Sequence, residues 1–439
     1  MLLKNIRIYI IEKLNKSVFA KNVLLIGGGV VFAQSIQLIF SPILTRLYTP
    51  EQFGVLSIYL SLISVMTNIC TLKYEMAILI PKQKKSAIAL TYISFIILLI
   101  SCMVMILVLG ISQNIINNIF GNQYLHGLSF AIPLGTFLVG TYQILSYFAV
   151  REQQYSILAK TKINQSFTQV IFQLLMGFFY LKPLSLVAGD IAGRIGGIWS
   201  LFNLLRKEMR KTKISFLSIK RLIIRFRHYP LFTSVSSFIN SLGVQLPSLL
   251  FTIIYGVNIG GYFSLVQRVL GVPISVISQS VSQVYLGELT SYLKSEGKNK
   301  NIKSLFVSTA LKLFSLGVIP SLILIVFGPD LFGVFFGAHW RTAGEFIRPL
   351  SLMFLVQFVV LPLSQTLIIL ERQKIQLIWD ISRFIIVCSG FYAVSMLKLE
   401  VEISIIIYSL FMTIAYIILF ILSYKTITDI QRKHINAAN

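Results

Sequence analysis

Arg206-Lys-Glu-Met-Arg-Lys-Thr-Lys-Ile-Ser-Phe-Leu-Ser-Ile-Lys-Arg-Leu-Ile-Ile-Arg-Phe-Arg227 holds nine basic residues in one loop. In isolation it could be a nucleic-acid-binding arm. Its flanks decide otherwise. Residues 184–205 and 231–254 are apolar runs of about 20 residues, long enough to cross a ~30 Å hydrocarbon core as helix. The basic cluster therefore lies between two spans rather than along one exposed face.

Working outward, the same alternation covers the chain. The apolar runs predict twelve spans: 23–45, 53–72, 88–111, 128–150, 164–181, 184–205, 231–254, 261–287, 304–327, 349–370, 375–397 and 402–423. Thirty of the 39 Lys and Arg fall in every second gap, counting the two ends. The other gaps hold Arg46, Lys182, Arg341, Arg348 and Lys398. By the positive-inside rule, the basic gaps and both termini are expected to be cytoplasmic. The composition agrees: 439 residues, 56% hydrophobic and 12% charged, against about 25% charged in soluble domains. The ~10-residue alternating segments of a β-barrel are absent. The net charge of +24 is thus read as topology, not as nucleic-acid binding.

The expected fold class is an all-α polytopic membrane protein. Residues 1–22 read as a basic amphipathic helix on the cytoplasmic surface, with Lys4, Arg7, Lys13 and Lys16 among apolar residues and no cleavable signal. Residues 23–205 form a first six-span lobe, 206–230 a basic linker, 231–423 a second lobe and 424–439 a cytoplasmic tail. Within the linker, Ile219–Phe226 has two readings: a second amphipathic surface helix that meets anionic lipid, or part of a loop that sets topology and nothing more. The halves carry signs of duplication. Tyr48-Thr-Pro-Glu-Gln-Phe-Gly54 and Tyr255-Gly-Val-Asn-Ile-Gly-Gly261 both place Tyr and Gly six apart, and Lys162-Ile163 pairs with Lys374-Ile375. Two six-span halves that both start in the cytoplasm would be parallel repeats around a central cavity.

Charges inside spans are expensive, roughly 2.5–3.5 kcal/mol for Arg, Lys or Asp at a helix centre on insertion scales. Leaving aside Glu402 at a span edge, those here are Asp190, Arg194, Arg268, Lys312, Asp380 and Arg383. Asp190 and Arg194, and Asp380 and Arg383, are spaced to meet on one helix face. Arg268 has no acid at helical spacing and is the first choice for a cavity cation. Arg194, Arg383 and Lys312 follow, with Lys73 and Glu75 lining the cytoplasmic mouth if the second span runs on to Ile80. Asp380, Asp190 and Glu75 are the candidates for ion coupling or ion pairing. Gly189, Gly193 and Gly197 form a small-residue stripe for close helix contact. Cys70, Cys102 and Cys388 read as packing residues. The histidines His126, His228, His339 and His434 show no metal spacing, and no catalytic or metal-ligating set is found. Trp340 is expected in the interfacial aromatic belt.

Several of these stretches resemble one family. Leu72-Lys-Tyr-Glu-Met-Ala-Ile-Leu-Ile-Pro81 is similar to the end of the second span in polysaccharide-unit flippases of the Wzx type, within the multidrug/oligosaccharidyl-lipid/polysaccharide (MOP) exporter superfamily. The likeness continues through Arg225-Phe-Arg-His-Tyr-Pro-Leu-Phe232, Asn240-Ser-Leu-Gly-Val-Gln-Leu-Pro247, Gly261-Tyr-Phe-Ser-Leu-Val-Gln-Arg-Val-Leu270 and Ser280-Val-Ser-Gln-Val-Tyr285. The first outer loop, Thr45-Arg-Leu-Tyr-Thr-Pro-Glu-Gln-Phe-Gly54, also fits. The resemblance implies a MATE-like fold in the bacterial inner membrane and no enzymatic activity. It implies a substrate in which an oligosaccharide is linked to undecaprenyl pyrophosphate, for O-antigen, capsule or exopolysaccharide. It further implies coupling to H⁺ or Na⁺ in place of a bound cofactor. The expected partners are that lipid-linked oligosaccharide, membrane lipids and other polysaccharide-assembly proteins, with no nucleic acid. Two alternatives stand beside it: export of amphipathic small molecules, and a membrane-embedded polymerase or ligase.

Overall fold

A computed structural model describes residues 18–111, 125–179, 184–209, 216–294, 302–370 and 372–438. Most of the expected N-terminal surface helix, residues 1–17, lies outside the described residues, as do 210–215 of the linker. All regular elements among the described residues are helical. Lipid offers no partner to a backbone amide, so each span must satisfy its own.

The long helices are α1 Val18–Leu47, α2 Pro50–Cys70, α4 Lys84–Ile111, α5 Leu125–Arg151, α6 Tyr155–Phe178, α7 Ser185–Met209, α9 Val235–Tyr255, α10 Val257–Lys294, α11 Ile302–Phe336, α12 Arg341–Ile369, α13 Gln373–Met396 and α14 Val401–Ala438. The short ones are α3 Tyr74–Ala77 and α8 Phe216–Arg225. Among the described residues, 10 helices are long and apolar enough to cross a membrane. The twelve expected spans all exist as helices, but α6 and α7 fall short of that hydropathy. Their interiors explain why: Lys162, Gln165, Gln169 and Gln173 in α6, Asp190 and Arg194 in α7. Pro42, Pro247, Pro273 and Pro362 lie within continuous helices.

Local chemistry sets the ends. Proline at the first position of α2 has no amide to satisfy, and the Gln52 side chain accepts from the Thr49 N–H at 3.0 Å, half of a capping box. At its other end α2 stops at Cys70. Leu72 and Lys73 adopt left-handed φ of 48° and 57°, so the helix does not run on to Ile80. The turn that follows is tied from α5: the Arg151 guanidinium donates to the carbonyls of Ile78, Leu79, Pro81 and Lys82 at 2.5–3.4 Å. Nearby, the Lys84 ammonium bridges Glu152 at 2.8 Å and Glu208 at 2.9 Å. Helix α8 is amphipathic and docks here too. It buries Leu222 against the cluster that holds Tyr74, Ile78 and Ile88, with Phe226 just beyond its end. The Tyr74 hydroxyl donates to the Ile223 carbonyl at 3.2 Å.

The described residues form two compact units. One holds those up to Tyr48 with Val55–Leu249; the other holds Thr49–Gly54 and those from Leu250 onward. The change-over falls inside α9, just past Pro247. In the first unit α4 packs on α5, α5 on α7, α6 on α7 and α1 on α6. In the second, α11 packs on α12, α12 on α14, α13 on α14 and α10 on α12. Counting six spans per half, three of these pairings are equivalent. The two tyrosines at the ends of the first spans each brace a carbonyl. The Tyr48 hydroxyl donates to the Gln173 carbonyl at 2.6 Å. The Tyr255 hydroxyl donates to the Leu399 carbonyl at 2.7 Å and meets the Ser404 hydroxyl.

The second unit also contains a reciprocal contact. A Cβ at Gly54 would overlap the carbonyl of Val257, and a Cβ at Gly261 would overlap the carbonyl of Pro50. Both partners obey the 207-residue shift read from the tyrosines. Beside this crossing Trp340 is 1% exposed, edge-on to Phe53 at 4.9 Å and to Tyr262 at 5.8 Å. It therefore belongs to an aromatic core, not to an interfacial belt, because helices α11 and α12 extend over residues expected to form an outer loop.

Candidate functional site

Close helix packing builds the site in the first unit. The glycine stripe of α7 rests on α6: Gly189 against Gln173, Gly193 against the Gln165 carbonyl and Gln169, Gly197 against the Gln165 side chain. Gly29 of α1 meets Ala159 of α6 equally closely. Only residues without a Cβ allow such approach. It brings the polar face of α6, Lys162-Gln165-Gln169-Gln173, inside the bundle. There the Gln169 side chain accepts from Gln37 Nε2 at 2.8 Å, and Gln173 Nε2 donates to the Leu186 carbonyl at 3.1 Å.

Between α1, α5, α6 and α7 lies a cavity of about 310 Å³. Tyr142, Gln143, Tyr147, Lys162, Gln165 and Arg194 line it. The Asp190 carboxylate accepts from Arg194 Nε at 2.5 Å and Nη2 at 3.2 Å, a two-point pairing, so the expected i,i+4 pair forms at this cavity. Tyr59 of α2 sits beside the pair. Lys162 differs. Its ammonium lies 4.3 Å from the centre of the Tyr142 ring, and no carboxylate among the described residues comes within bridging distance of it. The cavity lining thus keeps one ammonium uncompensated.

From sequence, Lys162 stands out only as a mark of the repeat and not as a candidate site residue. It reads as the end of the basic gap 151–163, but α6 starts at Tyr155, which puts Lys162 about two turns inside the helix. The spacing of Lys162, Gln165, Gln169 and Gln173 along one helix face was the available signal.

The other expected residues are dispersed. Arg268 on α10 is half-buried, its guanidinium 5.8 Å from the centre of the Phe53 ring. Arg383 meets Asp380 at 3.4 Å and stacks over Trp379 at 4.8 Å, while the Trp379 indole donates to the Ala415 carbonyl at 2.7 Å. Lys312 is exposed on α11 beside Leu311. Lys73 and Glu75 approach to 4.0 Å with Glu75 only 1% exposed, and neither carboxylate oxygen has a hydrogen-bond partner among the described residues. Burial raises the Glu75 carboxyl above its ordinary range, offset in part by Lys73. None of Arg268, Lys312, Arg383 or Lys73 lines the 310 Å³ cavity.

The chain's likeness to solved structures lies in the fold. An inward-facing multidrug-resistance MATE transporter of the MOP superfamily superposes with TM-score 0.70 at 12% identity, over 92% of this chain and 96% of that one. The lipid II flippase MurJ in an inward closed conformation gives 0.68 at 15% identity, over 94% and 91%. A MOP superfamily transporter from Pyrococcus furiosus Vc1 (DSM3638) gives 0.56 at 12% identity, over 94% and 96%. No curated protein matches the chain. The architecture is therefore that of the MOP exporters, and its sequence carries the family: the model described as "Polysaccharide biosynthesis protein" matches residues 43–345. With that match over most of its length, and with 10 helices among the described residues fit to cross a membrane, the chain belongs to the polysaccharide biosynthesis protein family.

Proposed function

We propose that the protein is a flippase of the Wzx type. It carries an oligosaccharide repeat unit, linked to undecaprenyl pyrophosphate, from the cytoplasmic to the periplasmic leaflet of the bacterial inner membrane. The product feeds surface polysaccharide such as O-antigen or capsule. Both termini and the basic loops face the cytoplasm. Movement proceeds by alternating access coupled to H⁺ or Na⁺, with Asp190, Asp380 or Glu75 as the titrating or ion-binding group. The observation that carries this reading is the uncompensated ammonium of Lys162 in the cavity of a many-helix membrane protein from a polysaccharide family. A cation held in a low-dielectric interior without a counter-charge suits an anionic cargo. Arg268, its guanidinium 5.8 Å from the centre of the Phe53 ring, supplies a second cation toward pyrophosphate.

The test is restoration of surface polysaccharide in a strain that lacks the gene, paired with leaflet-accessibility assays of lipid-linked oligosaccharide in vesicles. Arg268→Ala is expected to lower restoration about tenfold or more, as loss of a charge-assisted contact would, and Arg268→Lys to retain part of it. Full activity of Arg268→Ala would remove Arg268 from the binding machinery. Collapsing the proton and Na⁺ gradients separately reads the coupling ion, and transport that survives both collapses rules coupling out.

A further inference from the structure

We infer that the cavity between α1, α5, α6 and α7 is a subsite for one acidic sugar residue of the cargo, with the Lys162 ammonium on the sugar carboxylate. The inference rests on the transport reading above and names the chemistry of the part that enters this cavity.

Three features select a sugar acid over the pyrophosphate link. The first is charge. Asp190 already holds Arg194 in a two-point pair, leaving one net positive charge from Lys162. That balances a monoanionic carboxylate, whereas a pyrophosphate would bring surplus negative charge toward Asp190. The second is wall chemistry. The ring of Tyr147, in the cavity lining, offers an apolar face with a polar tip, suited to the C–H face of a pyranose. The side-chain amides of Gln143 and Gln165 can donate to and accept from hydroxyls. Gln143 Oε1 is buried with no hydrogen-bond partner among the described residues, and such an orphan is costly until a donor arrives. The third is size. About 310 Å³ sits at the lower end of ligand pockets, room for a sugar ring and not for a long oligosaccharide. Lys162 is also held in place, since its ammonium is fixed over the Tyr142 ring.

The experiment uses the full chain in lipid nanodiscs. Acylation of Lys162 by an amine reagent is followed by mass spectrometry, with exposed Lys160 two residues away as the internal reference. The probes are D-glucuronate, methyl glucoside and inorganic pyrophosphate. Glucuronate is expected to slow modification of Lys162 several-fold relative to Lys160, and methyl glucoside to leave it unchanged. Equal protection by the neutral sugar overturns the inference, and so does protection by pyrophosphate without protection by glucuronate. A glucuronate titration adds a second readout. Lys162→Met should weaken binding about tenfold or more, the worth of one charge-assisted hydrogen bond, while Lys162→Arg keeps most of it. Unchanged affinity in Lys162→Met overturns the proposal.

A transport arm separates the two readings. Synthetic polyprenyl-pyrophosphate disaccharides that differ only in a hexuronate or a hexose are offered to reconstituted vesicles. If neither is moved, the flippase reading fails while the protection result stands independently. If both are moved and Lys162→Met slows them equally, the acidic-sugar subsite fails and the flippase reading survives.

Discussion

Glu75 shows how one side chain can make this protein sensitive to pH. It follows the left-handed pair Leu72–Lys73, is 1% exposed, and among the described residues has Lys73, at 4.0 Å, as its counter-charge. Burial disfavours the carboxylate and raises its pKa. A group whose folded-state pKa is raised contributes stability that is complete below its unfolded pKa and is lost as pH rises through the folded one. Thermal unfolding in detergent should therefore show stability falling as pH climbs above the ordinary carboxylate range. Glu75→Gln should flatten that limb without lowering stability at acidic pH. An unchanged pH profile in the variant would assign the dependence to another group. Sequence reading placed Glu75 near the basic mouth but could not see its burial, because two non-glycine residues with positive φ leave no compositional mark.

At the level of elements, the loop between α2 and α4 is held largely by one side chain. Arg151 donates to four carbonyls of residues 78–82, so a residue counted from sequence only as a topology charge is also a structural tie. Arg151→Gln shortens the side chain, removes its charge and takes away the fork. We expect limited trypsin digestion to cut after exposed Lys82 and Lys84 several-fold faster in that variant, and an unchanged rate would mean the loop is set by its own turns. The same contrast runs through the spans. The ten most apolar helices were legible because hydrophobic length and alternating charge report the same thing. The true start of α6 was not, since a helix that opens on Lys160 and Lys162 looks like the end of a basic loop. The glycine stripe of α7 was legible, and so were the Asp190–Arg194 and Asp380–Arg383 pairs, because helical spacing alone brings those groups together. The cavity was not, because it depends on which face of α6 the stripe draws inward.

Over the whole molecule, the duplication read faintly from Tyr48, Gly54, Tyr255 and Gly261 becomes physical. Each tyrosine braces a backbone carbonyl, of Gln173 within α6 and of Leu399 just past α13, and the glycines sit where Pro50 and Val257 present their carbonyls. Backbone cannot retreat as a flexible side chain can, so an added methyl must be met by a shift of the helices. Gly261→Ala is expected to destabilise by about 1–3 kcal/mol, the usual range for overpacking. Gly287→Ala on the same helix, where a Cβ meets nothing within 4 Å, should be neutral or slightly stabilising through helix propensity. Denaturation midpoints of the two variants decide the matter; equal midpoints would show that the crossing yields. A further consequence concerns descent. Once each copy of an ancestral half offers a carbonyl to the other's glycine, neither can drift on its own at those sites. A side chain at 54 or at 261 meets a carbonyl that no exchange at 257 or 50 can take away, so both positions stay glycine while the two copies diverge elsewhere.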